Sequence, residues 1–173
     1  DNADFVYHLS AAVGVKLIVE SPVRTIETNI GGTQIILDLC LKKKKKLLVA
    51  STSEVYGKSK EFPFKEDGDI VLEPTNIGRW AYASSKAIDE FLAIAYFREK
   101  GCPVVVARFF NTIGPRQSGA YGMVVPRFIE AALSGKDLLV YGDGMQSRCF
   151  THVKDVVPIV SKLMENDGVF GQV

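Results

Sequence analysis

Residues 47–57 read LLVASTSEVYG: a short apolar run, Leu47–Ser51, feeding directly into hydroxyls and a carboxylate. An apolar run of this length without polar alternation is the pattern of a strand covered on both faces. Two similar runs flank it, Asp4–Leu9 (DFVYHL) and Val104–Phe110 (VVVARFF). Between the first two strands, Ile26, Ile30, Thr33, Leu37 and Leu41 recur at three- and four-residue spacing and predict a long helix, with Lys42–Lys46 after it. A second helix is predicted from about Ala83 to Lys100, burying Ile88, Phe91, Leu92, Ala95 and Tyr96 and ended by Gly101. A third covers roughly Val125–Leu133. Leu138–Tyr141 reads as a short strand before the turn Gly142-Asp143-Gly144, and a last helix runs from about Val153 to Glu165. Ser59–Ile77, rich in charge, Pro and Gly, reads as a loop. Parallel strands need crossover connections, so strands alternating with helices predict an α/β fold, a parallel sheet wrapped by helices.

Composition narrows the function classes. The 173 residues carry 21 Lys and Arg against 20 Asp and Glu, a net charge of +1, with 47% apolar and 24% charged residues. That balance excludes disorder and leaves no basic footprint for nucleic acid. No apolar run reaches the roughly 18 residues of a membrane span. Cys40, Cys102 and Cys149 are odd in number and lack CxxC spacing, so neither a disulfide framework nor a metal site is expected, and reduced thiols in the cytoplasm are. The lysine run complements a helix C-terminus and stays solvated. Asp1 stands where a Met would open a chain, which raises the expectation of a piece of something longer.

The chemistry concentrates in Tyr82-Ala83-Ser84-Ser85-Lys86. Four residues is about one helical turn, so the phenol and the ammonium share a face. A nearby ammonium favours the phenolate and is expected to lower the Tyr82 pKa toward that of a useful base. Parallel α/β sheets bind ligands at the carboxyl ends of their strands, where Ser51-Thr52-Ser53-Glu54-Val55-Tyr56-Gly57 falls. Arg108-Phe109-Phe110-Asn111-Thr112-Ile113-Gly114-Pro115-Arg116 ends another strand, followed by Tyr141-Gly142-Asp143-Gly144 and Arg148-Cys149-Phe150-Thr151-His152-Val153.

These motifs, in this order, resemble the extended short-chain dehydrogenase/reductases that modify nucleotide sugars, and the resemblance runs from Val6-Tyr7-His8-Leu9-Ser10-Ala11-Ala12 to Asp155-Val156-Val157. It implies a partial Rossmann-type doubly wound sheet and transfer of hydride from a sugar carbon to NAD, giving a keto-sugar. It also implies catalytic roles for Tyr82 as base, Lys86 as ribose holder, and Thr52 and Glu54 beside the reacting oxygen. Leu9, Ser10, Ala11, Asn29, Tyr82, Lys86 and Phe109 would contact the cofactor. Ser53, Asn111, Val124, Tyr141 and Arg148 would contact the nucleotide sugar, Arg148 through its fork of donors on the diphosphate and Val124 and Tyr141 at the base. His8, His152 and Cys149 match no catalytic position of the family and are expected to be structural, Cys149 as a packing residue.

The resemblance leaves the reaction open. The dTDP-glucose 4,6-dehydratases carry Asp-Glu where this chain has Ser53-Glu54, so the eliminating acid is missing. Arg79-Trp80 before Tyr82, Thr52-Ser53-Glu54 and Arg148-Cys149-Phe150-Thr151 look like UDP-glucuronate decarboxylases; the leading expectation is a UDP-sugar 4-epimerase, with the decarboxylase as alternative. An inactive fragment or a non-catalytic binding piece is the reading outside enzymes. The family's opening βαβ unit with its glycine-rich phosphate loop is not found, because Gly31-Gly32 and Gly142-x-Gly144 have the wrong spacing. The expected layout is the rest of an NAD-binding domain over residues 1–115 and part of a sugar-binding region over 116–173, interleaved with it. A homodimer through the two long helices is also implied.

Overall fold

The computed structural model describes residues 2–119 and 123–173, apart from the side chains of Val15 and Lys16. Three parallel strands, β1 (Phe5–His8), β2 (Lys46–Thr52) and β3 (Val104–Phe109), lie in the order β1-β2-β3. Helices α1 (Val15–Glu20) and α2 (Pro22–Lys43) connect β1 to β2, and α3 (Ala81–Lys100) connects β2 to β3. A second, two-stranded parallel pair joins β4 (Asn111–Ile113) to β5 (Phe150–His152) across α4 (Val124–Leu133). The helix α5 (Val153–Glu165) then returns to the main sheet.

Side chains alternate along a strand, so β2 and β3 supply both layers of the core. Leu47, Val49, Val104 and Val106 face α2 and α3, where they bury Leu37, Cys40, Ala93, Tyr96 and Cys102. Leu48 and Val105 face the other way, against Met164 of α5 and Phe170. Burial on both faces is why these strands read as unbroken apolar runs. Gly101 ends α3 at φ 68°, the left-handed turn that glycine adopts without strain.

Several expectations need correction. In α2 the buried stripe is Thr25, Asn29, Thr33, Leu37 and Cys40, while Ile26 is exposed. On α3, Ile88 and Phe91 point outward, and the inward face carries Lys86, Asp89 and Glu90 with Ala83 and Ala93. Leu138–Tyr141 is not a strand: no strand among the described residues lies beside it to pair its backbone, and its side chains stay exposed. Cys149 is exposed rather than packed. The lysine run is split: α2 ends at Lys43, Lys44 caps it, and Lys46 opens β2, bonded to Asp167 at 2.5 Å.

The Ser59–Ile77 segment is irregular, as read, and is tied down near its start. Lys58 N–H donates to Val71 C=O at 2.8 Å, beside a bridge between Gly57 and Val71. Gly57 sits at φ 60°, with Val71 C=O where a Cβ would stand, so both its backbone angle and the close approach require glycine.

Candidate functional site

The carboxyl ends of β1, β2 and β3 converge with the first turns of α3. Thr52, the last residue of β2, accepts a hydrogen bond from Glu54 N–H at 3.2 Å and thereby starts the 3₁₀ turn Ser53–Tyr56. The Thr52 hydroxyl reaches the Tyr82 phenol and favours its ionised form. Glu54 stands close enough for its charge to oppose that ionisation. Tyr82, Thr52 and Glu54 therefore meet, as the sequence predicts.

The expected lowering of Tyr82 is overturned. Its pKa is pushed up to about 12, first by burial and then by the Glu54 carboxylate, with the Thr52 contact only partly offsetting them. The buried Asp89 carboxylate adds to the rise. Lys86, 1% exposed, donates to Asp89 Oδ2 at 2.7 Å, and Asp89 is fully buried. Asp89 Oδ1 has no hydrogen-bond partner of ordinary geometry among the described residues, though the Thr33 hydroxyl is near enough to favour the ionised carboxylate. Burial raises the Asp89 carboxyl against the pull of Lys86, and burial, helped by Lys86, lowers the His8 imidazole. His8 Nε2 lies 3.3 Å from the Thr33 hydroxyl.

A lysine ammonium carries three donors, and Asp89 accepts one of them. Leu9 and Ser10 are exposed just beyond β1 and Ala11 is half-buried. Phe109 packs against the Leu48–Val105 side of the core from the end of β3. Asn29 is engaged within the protein: its Oδ1 accepts from Ala12 N–H at 2.7 Å and its Nδ2 donates to Ser85 Oγ at 3.0 Å. Ser85 in turn donates to the Tyr82 carbonyl at 2.8 Å. Asn29 thus joins the loop after β1 to the turn that bears Tyr82.

The β4–β5 pair carries the residues expected at the sugar nucleotide. Asn111 Nδ2 donates to Cys149 C=O at 3.0 Å, which sets Arg148 beside it. Arg148 is exposed, its Nη1 on the Ser147 carbonyl at 2.7 Å, and its charge reaches Glu54. Arg79 reaches Glu54 as well and lies 5.3 Å from the Trp80 ring centre, while Trp80 Nε1 donates to Glu73 Oε2 at 2.5 Å. Surrounding protein raises the Glu54 carboxyl, and the two arginines pull it back, although the residue remains exposed to solvent. Ser53, half-buried, lies between Thr52 and Glu54 in that turn. Val124 and Tyr141 line one cleft of about 160 Å³ with Arg127, Phe128 and Leu139, apart from Tyr82. His152 caps α5, its Nδ1 accepting from Lys154 N–H at 3.2 Å.

Sequence reasoning missed Asp89 and Glu90. Two adjacent acids three and four residues after Lys86, on its own helical face, were the available signal. Among the described residues no group of His, Cys, Asp and Glu could hold a metal, and no helix is long and apolar enough to cross a membrane.

Residues 1–172 match the profile of the NAD dependent epimerase/dehydratase family. The chain is 50% identical over 163 residues to the UDP-N-acetyl-alpha-D-glucosaminuronate decarboxylase of Bacillus cytotoxicus, covering 94% of this chain and 50% of that protein. It is 39% identical over 165 residues to UDP-glucuronic acid decarboxylase 1 of Xenopus tropicalis, covering 95% of this chain and 39% of the relative. The structure superposes with a TM-score of 0.85 on UDP-glucuronic acid 4-epimerase from Bacillus cereus in complex with UDP-glucuronic acid and NAD, at 32% identity over 97% of this chain and 52% of the other. The chain therefore spans about half the length, or less, of the proteins it matches.

Proposed function

We propose that this chain, which belongs to the NAD dependent epimerase/dehydratase family, carries the catalytic centre of an enzyme that oxidises carbon 4 of a UDP-linked hexuronate and releases its carboxyl group as carbon dioxide. The observation that carries the reading is the meeting of Tyr82, Thr52 and Glu54 at the end of β2, bordered by the charges of Arg79 and Arg148. Two cations beside the reacting groups suit a substrate with both a diphosphate and a carboxylate. The 50% identity to a UDP-uronate decarboxylase moves that reaction ahead of the 4-epimerase expected from sequence.

In this reading Tyr82 takes the proton of the carbon 4 hydroxyl while Thr52 holds the same oxygen. NAD, when bound, would supply the hydride acceptor and donor for carbon 4. Lys86 holds the ribose with the donors that Asp89 leaves. The ketone at carbon 4 is β to the carboxylate, so its carbon–carbon bond breaks with the electrons flowing into the carbonyl. Thr52 and Tyr82 then donate to the developing enolate oxygen. Glu54, raised by its surroundings, is the group we assign to the proton that returns to carbon 5.

A UDP-sugar 4-epimerase is the second reading, favoured by the likeness to the Bacillus cereus enzyme and sharing the first oxidation. The outward apolar residues Ile88 and Phe91 on α3 and Ile35 and Leu39 on α2 support the homodimer implied by the sequence. Incubation of the full-length protein with UDP-N-acetylglucosaminuronate and with UDP-glucuronate, followed by NMR, tests the proposal. A UDP-pentose and carbon dioxide are expected. An inverted hexuronate establishes the epimerase instead, and no turnover of either leaves the non-catalytic reading.

A further inference from the structure

One buried carboxylate links α3 and β2, which carry Tyr82 and Thr52, to the neighbouring strand β3. Glu90 lies on α3, one turn beyond Lys86 and two beyond Tyr82, and is 4% exposed. Its Oε1 accepts from the Ser51 hydroxyl of β2 and from Arg108 Nε at 3.0 Å. Its Oε2 accepts from Arg108 Nη2 of β3 at 2.7 Å. Ser51 and Arg108 are opposite each other in the β2–β3 ladder, and the next pair up is Thr52 with Phe109. Alternation puts Ser51 and Arg108 on the α3 side, in line with Val49 and Val106. Arg108 continues outward, donating through Nη1 to the Glu66 carbonyl at 3.1 Å and lying 4.7 Å from the Tyr56 ring centre.

We infer that Glu90 is a positioning residue, a latch between α3 and the strand ends that sets the Thr52 hydroxyl against the Tyr82 phenol. The inference rests on the site reading above. A buried carboxylate is poor at stability alone, since burying an ion pair opposes its own attraction. Its value here is register: three donors from two strands fix one point on the helix that bears the base. Near this latch the reacting groups tolerate little error, because a misplacement of about 1 Å lowers rate by about a hundredfold. Glu90 itself touches no reacting atom.

Kinetics of the full-length protein on the UDP-uronate it turns over decide the matter, using Glu90→Gln, Thr52→Ala and the double variant. Gln keeps the shape and an acceptor but loses the charge that holds Arg108. Glu90→Gln is expected to lower kcat by about a hundredfold with KM unchanged within about twofold. In the Thr52→Ala background the same change is expected to add less than about twofold, because the group it positions is gone. Losses that multiply overturn the inference, as does a Glu90→Gln enzyme with parental kcat. If Glu90→Gln does not fold, Ser51→Ala, which leaves the Glu90–Arg108 pair intact, runs the same cycle with the same two outcomes. A Thr52→Ala enzyme with parental kcat removes the site reading itself; an impaired one with multiplying losses removes only the latch.

Discussion

Replacing Asn29 with Ala separates two roles that one side chain could play, scaffold or cofactor contact. Asn29 is 1% exposed and makes one hydrogen bond through each end of its amide. Its loss leaves the Ala12 N–H, in a residue 9% exposed, without an acceptor. An unpaired buried donor costs about 1–3 kcal/mol. The lost donor to Ser85 adds about 1 kcal/mol, and the vacated volume adds about 1 kcal/mol more. The sum, about 3–5 kcal/mol, is a large share of the roughly 5–15 kcal/mol that holds a domain together. Urea unfolding of parent and variant, monitored by far-UV circular dichroism, reads the difference directly. Because Ser85 bonds the Tyr82 carbonyl, the variant is also expected to lose kcat even where it remains folded. A stability loss under about 1 kcal/mol combined with weaker NAD binding would refute the scaffold role and restore the contact role.

Three other changes follow from local geometry. Glu54 has a folded pKa above its unfolded one, so its stabilising share is complete in acid and is lost as pH rises through the folded value. Glu54→Gln should therefore stabilise the protein at neutral pH and not below about pH 4, near the unfolded carboxyl value; thermal melts at both pH values check this. Gly57→Ala should destabilise by about 2 kcal/mol or more, from backbone strain and collision with the Val71 carbonyl, and should raise proteolysis within residues 59–77. Phe91→Asp places a charge on the outward apolar face of α3 and should convert the proposed dimer to monomer in sedimentation, leaving Tm of the monomer little changed.

The layers of the fold were legible because parallel strands buried on both faces leave uninterrupted apolar runs, as at Leu47–Val49 and Val104–Val106. The α5 boundaries also agree with expectation, where an amphipathic run follows a strand that ends in a capping His152. Periodicity misled on α3, since it cannot tell an outward apolar stripe from a core one when polar groups are paired inside. Ile88 and Phe91 face out while Lys86 pairs with Asp89, and Glu90 with Arg108, on the inward side. Leu138–Tyr141 misled for a related reason: strand propensity needs a neighbouring strand to become a ladder. The YxxxK spacing placed Tyr82 and Lys86 one turn apart at the start of a helix, where α3 carries them. It could not show that Asp89 holds the ammonium while burial and Glu54 raise the phenol.

In the proposed reaction Tyr82 removes the proton that lets carbon 4 be oxidised. Tyr82→Phe in the full-length protein keeps the ring and deletes the phenol oxygen. Supplied with NAD and UDP-N-acetylglucosaminuronate, the variant should bind the nucleotide sugar as the parent does, measured by calorimetry. Its turnover, followed as carbon dioxide release, should fall by about a thousandfold, the scale of a lost general base. Parental turnover in that variant would contradict the account.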